Sequence, residues 1–361
     1  MNYRAIGLMS GSSLDGVDIV YATLESKGPY WNYEIQAAQC VPYTETWKKQ
    51  LAEADRLSAF DYLKLHVDYG QYLGKLIREF IEQHALEYKT QLICSHGHTI
   101  FHQPQNGLTH QLGDGASIAA ITGIPVVSDL RSMDVAFGGQ GAPLVPIGEK
   151  KLFSNRGMFL NIGGIANLSV HADKIIGFDI CAANRILNFL AEKEGLLYDD
   201  KGAIARSGKI NADLLTTLNA LDYYGKPHPK SLSNQYGLEV IIPLLLQQHN
   251  STHDLLCTYT EHIAMQIAKS CNPFLNEISE TKNSMMVTGG GAYNEYLIER
   301  IRYHLPELEI YLPDNTIIEY KEALIMALIG VLRWREEATV IPSVTGATKE
   351  SIGGAVWSGH Q

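Results

Sequence analysis

The sequence predicts an α/β fold that contains two related α/β regions. Segments rich in β-branched residues alternate with amphipathic helical patterns along the chain, an order typical of α/β proteins. Residues 4–25 and 156–180 each predict a β-hairpin with a Gly/Ser-rich turn at the start of such a region. A chain of 361 residues with 45% hydrophobic composition is long for one domain, so we expect two.

After the first hairpin, the pattern alternates between helices and strands. Residues 57–87 carry apolar side chains at helical spacing and predict one long helix, with a break near Gly70 as the alternative. Residues 91–104 predict a buried strand that runs into a His-rich loop, and residues 116–130 predict a short helix, a Gly-Ile-Pro turn and a strand. Residues 131–146 are dense in Gly and Pro, which is typical of a functional loop or a linker.

The second region begins with residues 156–180, which predict a strand, a Gly turn, a second strand and then a third strand that ends at Asp179. The remaining predicted elements are helices at 184–194, 255–272 and 320–338, a strand, Gly triplet and helix at 284–301, and turns with a short strand at 341–357.

Composition and charge exclude several classes of partner and site. The formal net charge is −10 and no block of Lys and Arg occurs, which argues against nucleic acid as a partner. An anionic substrate would have to meet loop amides or single cations. The five cysteines are odd in number and form no CxxC pair, so neither a disulfide framework nor a zinc ribbon is indicated. The longest apolar run, 323–332, is shorter than the ~20 residues that span a bilayer, so we expect a cytoplasmic protein that does not bind membranes.

Three Gly-containing turns each follow a predicted strand, at 7–16, 161–167 and 287–293. None is followed by the Lys of a P-loop, and none fits the dinucleotide-binding pattern. Amide groups in such turns can point together at phosphate oxygens, and hydroxyls add donors. A single case would be an ordinary turn, but three turns on three strands indicate a nucleotide held between two lobes.

These turns also carry a family resemblance. The opening GLMSGSSLDGVD closely resembles GLMSGTSLDGVD, the usual phosphate-loop signature of the anhydro-N-acetylmuramic acid kinases. The likeness continues, in order and over nearly the whole chain, through SHGHTIFH, QLGDGASIAAITGIPVVSDLRSMDVAFGGQGAPLVP, NIGGIANL, VTGGGAYN, KEALIMAL and PSVTGA. The resemblance implies an actin-like ATPase fold, with two duplicated lobes of ribonuclease H-like type and ATP in the cleft between them.

The resemblance also implies which part of ATP each turn contacts. The first two hairpins would embrace the phosphates of ATP, through Gly11, Ser12, Ser13, Asp15, Gly16, Gly163, Gly164 and Asn167. Gly289, Gly290 and Gly291 would lie near adenosine. Asp15 and Asp18 would hold Mg²⁺ through water, because Mg²⁺ binds few carboxylates and retains waters; the alternative for Asp18 is a simple position beside the second strand.

The reaction that the resemblance implies begins with 1,6-anhydro-N-acetylmuramic acid, which is released in peptidoglycan recycling. Water attacks C1 and opens the internal bridge, and the freed O6 takes the γ-phosphoryl group of ATP to give N-acetylmuramic acid 6-phosphate. This chemistry needs a general base, and the family places its catalytic Asp at the position of Asp179. Asp179 could instead cap the following helix, but Asn184 directly precedes the periodic residues and is the better candidate for the cap.

The expected sugar contacts come from the resemblance and from the chemistry of single side chains. The resemblance suggests that Glu322 faces the sugar, although a Glu near a helix start is often only a favourable dipole pair. Arg131 could bind the muramic carboxylate as a bidentate fork or form a surface ion pair, with Asp134 nearby. His98 and Asn184 complete the expected sugar contacts. The family often has DTGPGN where this chain has DICAAN, so Cys181-Ala182-Ala183 could alter the sugar pocket.

Two other functions compete with this one. His96, His98, His102 and His110, with Asp114, are compatible with metal ligation, which would indicate a metal-dependent hydrolase. That hypothesis leaves the three Gly turns unexplained. A nucleotide sensor without catalysis could have lost the carboxylate at position 179, which this chain keeps. A kinase of the same fold that acts on a different anhydrosugar is the nearest alternative.

The expected domain boundaries come partly from the resemblance. We expect a first lobe of residues 1–128 with 341–361 and a second lobe of residues 129–340, with hinges near 131–142. The expected partners are ATP, Mg²⁺ and a small sugar. The family suggests a homodimer, although the sequence has no interface signature.

Overall fold

Strand pairing gives the chain two separate mixed sheets. The computed structural model describes residues 1–11, 14–228, 230–247 and 250–359, and the side chain of Asn234 is not described. The strands are β1 (Asn2–Ser10), β2 (Gly16–Lys27), β3 (Tyr30–Pro42), β4 (Leu92–Gln103), β5 (Leu108–Leu112), β6 (Val126–Ser128), β7 (Met158–Ile162), β8 (Ile165–His171), β9 (Ile175–Ala182), β10 (Ser284–Thr288), β11 (Glu309–Tyr311) and β12 (Ala355–Trp357).

Helices follow or separate these strands. They are α1 (Glu45–Ala52), α2 (Ala59–Gln83), α3 (Gly115–Thr122), α4 (Ser132–Ala136), α5 (Val145–Leu152), α6 (Asn184–Glu192), α7 (Ala203–Ser207), α8 (Ala212–Asn219), α9 (Asn234–Tyr236), α10 (Ile242–Leu246), α11 (Thr252–Cys271), α12 (Glu295–His304), α13 (Asn315–Trp334) and α14 (Pro342–Thr345). No helix in the described ranges is long and apolar enough to cross a membrane.

The two sheets repeat one topology. The first has the order β3-β2-β1-β4-β6-β12, with β5 paired to β4, and the second has the order β9-β8-β7-β10-β11. In each sheet the first three strands form an antiparallel meander. The fourth strand, β4 or β10, pairs parallel to the first strand of that meander, and the fifth, β6 or β11, pairs parallel to the fourth. This repeat confirms the predicted α/β class and the predicted duplication of a ribonuclease H-like unit.

The chain divides into two compact units, Met1–Ser154 with Tyr320–Gln361, and Asn155–Glu319. These boundaries differ from the expected ones at 128 and 340. Residues 131–152 belong to the first unit, where Arg131 binds His96 and α5 pairs with α13. The second half of α13 also packs there, because a Cβ on Gly7 would lie 2.0 Å from the carbonyl oxygen of Ala323. Residues 131–146, expected to form a loop, contain α4 and the start of α5.

Local sequence signals explain most helix starts. Ser58 caps α2 by accepting a hydrogen bond from the amide of Asp61, and Ser251 caps α11 in the same way. The break that we considered near Gly70 is absent, and α2 is one continuous helix of 25 residues. Gly70 instead permits the backbone of Asp114 to approach, since a Cβ there would lie 2.6 Å from the Asp114 carbonyl oxygen.

Candidate active site

A row of polar side chains crosses the sheet of the second unit. Thr288, Asn161, Asn167 and Asp179 are register partners across β10, β7, β8 and β9. Directly paired residues point to the same face of a sheet, so the four side chains share one face. The hydroxyl of Thr288 is buried and has no hydrogen-bond partner in the described part of the chain. The row therefore marks this face as a candidate ligand surface.

A β-bulge sets the direction of Asp179. Ala166 pairs with Cys181, but the next residue, Asn167, pairs with Asp179. One extra residue, Ile180, therefore lies in β9, and such bulges often redirect a side chain beside an active site. The side chain of Ile180 is buried while Asp179 is partly exposed, so the carboxylate reaches the surface of the sheet at this point.

The loop that precedes α9 holds Asp179 in place. Oδ2 of Asp179 accepts hydrogen bonds from the amide of Leu232 at 2.9 Å and from the hydroxyl of Ser231 at 3.1 Å. Its backbone amide donates to the carbonyl of Lys230, and its carbonyl accepts from the hydroxyl of Tyr223. Burial raises the pKa of the Asp179 carboxyl, and the bonds from Leu232 and Ser231 partly oppose that rise.

The expectation that Asn184 caps α6 is wrong. Ala183 occupies the cap position without a side-chain bond, and Asn184 is the first helical residue. The amides of Ala183 and Asn184 instead donate to the carbonyls of Gly164 and Gly163. The side-chain amide of Asn184 donates to the carbonyl of Ile162 at 3.0 Å. The main chain and the side chain of Asn184 thus connect the Gly turn to the start of α6.

The segment Cys181-Ala182-Ala183 lies in the core of the second unit. All three residues are buried, and the carbonyl of Ala182 accepts a hydrogen bond from the buried hydroxyl of Tyr259. A Cβ on Gly237 would lie 3.5 Å from the Cβ of Ala182, so the α9–α10 region packs against the segment. The departure from the family pattern at these residues therefore changes core packing.

The turn at Gly163 and Gly164 is open to an approaching group. A Cβ on either glycine would meet nothing closer than 3.7 Å, so packing does not require glycine there. Arg185 lies over the turn, with its Nε 3.9 Å from the position of a Gly164 Cβ. Within the described residues, its guanidinium has no hydrogen bond or ion pair. A free cation beside an open Gly turn suits a phosphate group.

The glycine triplet after β10 serves two purposes. Gly289 has φ of +81°, and a Cβ on Gly291 would lie 2.2 Å from Cγ2 of Ile162, so the fold requires glycine at both positions. A Cβ on Gly290 would only touch the Asn184 amide at 3.5 Å. Gly290 and Gly291 line a pocket of ≈ 690 Å³ with Leu187 and Ile318, which is a size typical of small-molecule sites.

The first unit carries the other predicted phosphate turn. Ser12 and Ser13 lie outside the described residues. Gly11 is half-buried and Asp15 is exposed. Gly16 begins β2, and its missing Cβ leaves room for the carbonyl of Val41, which would otherwise be 2.4 Å away. Asp18 lies in β2 and close enough to Tyr43 to raise the pKa of that phenol.

His98 is attached to the end of β1, next to this turn. A bulge in β4 brings His98 opposite Ser10, and the Ser10 hydroxyl bonds Nδ1 of His98 at 2.8 Å and the Tyr43 hydroxyl at 2.6 Å. Tyr43 in turn bonds Tyr69, which is fully buried. Burial lowers the pKa of His98 to about 4, so the ring is neutral at pH 7.

Arg131 is held by the protein itself. Its Nε and Nη2 approach Nε2 of His96 at 3.0 and 2.8 Å, and Nη1 donates to the carbonyl of Gly141. His96 therefore occupies the Nε and Nη2 edge of the Arg131 guanidinium, one of the edges that could bind a substrate carboxylate. Burial, the Arg131 charge and His98 together lower the pKa of His96 to about 3. Burial lowers the pKa of the Arg131 guanidinium to about 10, and the nearby charge of Glu322 partly opposes that fall.

The histidines do not assemble into a metal site. Nδ1 of His96 bonds the carbonyl of Gly97, its Nε2 faces Arg131, and His102 bonds Thr109. A lone pair that faces a guanidinium is not available to a cation. In the described part of the chain, no three His, Cys, Asp or Glu side chains are arranged to hold a metal ion. The donor geometry thus gives the hydrolase alternative no support.

Several residues of the site were not visible in the sequence. Tyr43, Tyr69, Tyr223, Ser231 and Arg185 lie outside the motifs, and their roles depend on contacts with residues far along the chain. Among these residues, only Arg185 could have been identified from the sequence. It directly follows Asn184 at the start of a predicted helix, and an acidic chain must bind an anion through single cations.

Two ribonuclease H-like sheets, each with a Gly-containing turn after its first strand, define the class of actin-like ATPases and sugar kinases. A family model described as anhydro-N-acetylmuramic acid kinase matches residues 3–359. The chain belongs to the anhydro-N-acetylmuramic acid kinase family, as the motifs indicated.

Two sequence relatives agree with this assignment. The anhydro-N-acetylmuramic acid kinase of a Sulfurovum species is 31% identical, over 98% of this chain and 99% of its own. That of Aliivibrio fischeri is 34% identical, over 98% of this chain and 99% of its own. Among solved structures, component A of (R)-2-hydroxyglutaryl-CoA dehydratase from Acidaminococcus fermentans matches with a TM-score of 0.46 and 14% identity, over 91% of this chain and 97% of that one.

Proposed function

We propose that the protein is an ATP-dependent kinase that opens 1,6-anhydro-N-acetylmuramic acid with water and phosphorylates O6, as part of peptidoglycan recycling. Family membership supports the substrate and the reaction class. The observation that carries the chemistry is Asp179, a partly exposed carboxylate at a bulge near the end of a strand, whose Oδ1 receives no hydrogen bond from the described residues. A cytoplasmic location and a homodimer stay predictions.

The role of Asp179 follows from the balance of the reaction. Asp179 takes a proton from water as the water oxygen bonds to C1 and the C1–O6 bond breaks. The electron pair of that bond goes to O6, which attacks the γ-phosphorus of ATP, and ADP leaves. The sugar thus gains one water and one phosphoryl group. Burial of Asp179 supports this role, because a raised pKa makes the carboxylate a stronger base.

The nucleotide needs groups that neutralise its phosphates. We propose that the open turn at Gly163 and Gly164 approaches the phosphates and that Arg185 adds a positive charge there. Gly11, Asp15 and Gly16 belong to the corresponding turn of the first unit. Asn167 is a neighbour of Asp179 in the polar row and a donor for the same anions.

Mg²⁺ fits the carboxylates at the β1–β2 turn. Asp15 is exposed and Asp18 is half-buried, and two carboxylates suit an ion that keeps several waters and binds phosphate oxygens. When bound, Mg²⁺ would neutralise phosphate charge during transfer. Asp15 and Asp18 would hold it, through water.

We also propose that His98, Arg131, Glu322 and Asn184 contact the sugar. His98 is neutral, and among the described residues a hydrogen bond reaches only its Nδ1, so its Nε2 can bond a hydroxyl. Burial raises the pKa of Glu322, while Arg131 and Lys321 oppose the rise. Arg131 keeps N–H groups beyond those bonded to His96 and Gly141.

The mass of the product tests this function. The protein is incubated with ATP, Mg²⁺ and 1,6-anhydro-N-acetylmuramic acid in ¹⁸O-labelled water, and the product is weighed. We expect a gain of one phosphoryl group and one labelled water, with the label on C1. A phosphoryl gain without water would contradict the hydrolytic step. No product from this sugar, with turnover of another anhydrosugar, would replace the proposed substrate by that one.

The glycine triplet gives a matched pair of variants for the nucleotide pocket. We expect Gly290→Ala to change the free energy of unfolding by at most about 0.5 kcal/mol and to weaken ATP binding measurably, because its methyl group enters the pocket. Gly291→Ala should cost about 1–3 kcal/mol, because its Cβ overlaps Ile162. Calorimetric ATP titration and urea unfolding measure the two effects. Unchanged ATP affinity in Gly290→Ala would exclude nucleotide binding at this pocket.

A further inference from the structure

The two oxygens of the Asp179 carboxylate have different environments. Both hydrogen bonds from the 230–232 loop, from the Leu232 amide and the Ser231 hydroxyl, end on Oδ2. In the described part of the chain, no hydrogen bond reaches Oδ1. Ser231 and Leu232 lie 52 and 53 residues beyond Asp179 in sequence, so the arrangement exists only in the folded unit.

The loop is itself fixed against β9. The carbonyl of Lys230 accepts from the amide of Asp179, and the hydroxyl of Tyr223 donates to the Asp179 carbonyl at 2.8 Å. Nζ of Lys230 lies 4.6 Å from the centre of the Tyr223 ring and donates to the Tyr223 carbonyl. Lys230 is thus attached to β9 directly, through the Asp179 amide, and indirectly, through Tyr223. These contacts hold the two donors that follow Lys230 close to Oδ2.

We propose that Ser231 is a positioning residue for the reaction: with the Leu232 amide it fixes Oδ2 of Asp179, so that Oδ1 alone is directed at the attacking water. A carboxylate with both oxygens free can rotate about χ2, and each misaligned orientation lowers the fraction of molecules ready to react. The inference rests on the proposed function, in which Asp179 is the general base.

A hydrogen bond to the ionised carboxylate also affects its titration. The Ser231 hydroxyl stabilises the charged form and holds the pKa of Asp179 down against the effect of burial. Loss of the hydroxyl should therefore raise that pKa. The base must be ionised to accept a proton, so the acidic limb of the rate profile should move to higher pH. The other titratable groups near this site include Tyr223, Lys230, Cys181, His228, Tyr236 and Lys226, and the Ser231 substitution removes none of them.

The test compares Ser231→Ala with Ser231→Thr and with Ser233→Ala. Ser233 lies in the same loop, and its hydroxyl bonds the amide of Tyr236 instead of Asp179. We expect Ser231→Ala to lower kcat by roughly ten- to a hundredfold, since hydrogen bonds to charged groups have that value, and to move the acidic limb of kcat/KM upward. Ser231→Thr should recover most of the rate, and Ser233→Ala should match the parent protein.

The possible outcomes separate the two proposals. If Ser231→Ala has the rate and pH profile of Ser233→Ala, the positioning role is wrong. If KM for the sugar rises while kcat and the acidic limb stay unchanged, Ser231 binds substrate, and the positioning role is again wrong. If Asp179→Asn stays active, the proposed base fails first, independently of Ser231.

Discussion

Replacement of Asp179 by Asn is expected to lower kcat by roughly 10²- to 10⁴-fold, the usual contribution of a general base, while ATP affinity stays the same. An Asn side chain keeps an oxygen where Oδ2 accepts from Ser231 and Leu232. It places an NH₂ group at the position of Oδ1, which cannot take a proton from water. The substitution thus removes the base and preserves the contacts that hold the loop.

Asp173→Asn is the control for this experiment. Asp173 is an exposed residue that precedes β9, at the far end of the same strand from the polar row. Its substitution removes one negative charge from the same hairpin and should leave kcat unchanged. Turnover is followed by ADP release with the anhydro sugar, and ATP binding by calorimetry. If Asp179→Asn works at more than half the parent rate, another group activates the water.

The periodic patterns predicted the hairpin that opens each sheet, but they did not predict β3, β5 or β11. The hairpins at 4–25 and 156–180 correspond to β1–β2 and β7–β8, since each alternates apolar residues around a Gly-containing turn. The residues within each hairpin are sufficient to predict such an element. The third strand of the second meander was also predicted, although β9 continues beyond Asp179 to Ala182.

Features that depend on distant contacts were not predictable. The prediction that Asn184 caps α6 was wrong because carbonyls of the Gly163–Gly164 turn bind the amides of Ala183 and Asn184, and Asn184 becomes the first helical residue. The first unit includes residues 131–154 and 320–340 because Gly7 accommodates α13 and because Glu149 pairs with Lys321. No window of neighbouring residues contains that information.

The same limit applies within the candidate site. Asp179 was identified from the family motif, but the bulge at Ile180 and the donors from Ser231 and Leu232 required the fold. The proposed roles of the individual site residues are therefore tested by the variants described above. The structure shows which contact each of these variants removes.

Loss of Lys321 is expected to have the largest effect on stability. Nζ of Lys321 lies 3.0 Å from Oε1 of Glu149, and the two side chains are only 4% and 3% exposed. Lys321→Met keeps the length of the side chain but removes the ammonium group that lies against the buried Glu149 carboxylate. Breaking one partner of such a pair typically costs about 3–5 kcal/mol, so we expect a loss of that size in the free energy of unfolding.

The double variant Glu149→Leu with Lys321→Met distinguishes a charge effect from a packing effect. Two apolar side chains leave no unpaired charge, and such replacements are often neutral or stabilising, so the double variant should recover most of the loss. Lys64→Met is the control, because Lys64 forms an exposed pair with Asp68 at 2.7 Å on α2. That substitution should change stability by less than about 0.5 kcal/mol.

The readout must report the first unit, since a chain of two units can unfold in more than one step. Hydrogen exchange of amides in β1 and in the second half of α13 meets this need, and urea unfolding gives the free energy. Lys321 also precedes Glu322 and opposes the rise in its pKa. Lys321→Met should therefore favour the neutral form of Glu322 as well. Equal losses in the single and double variants would show that the pair acts through packing alone.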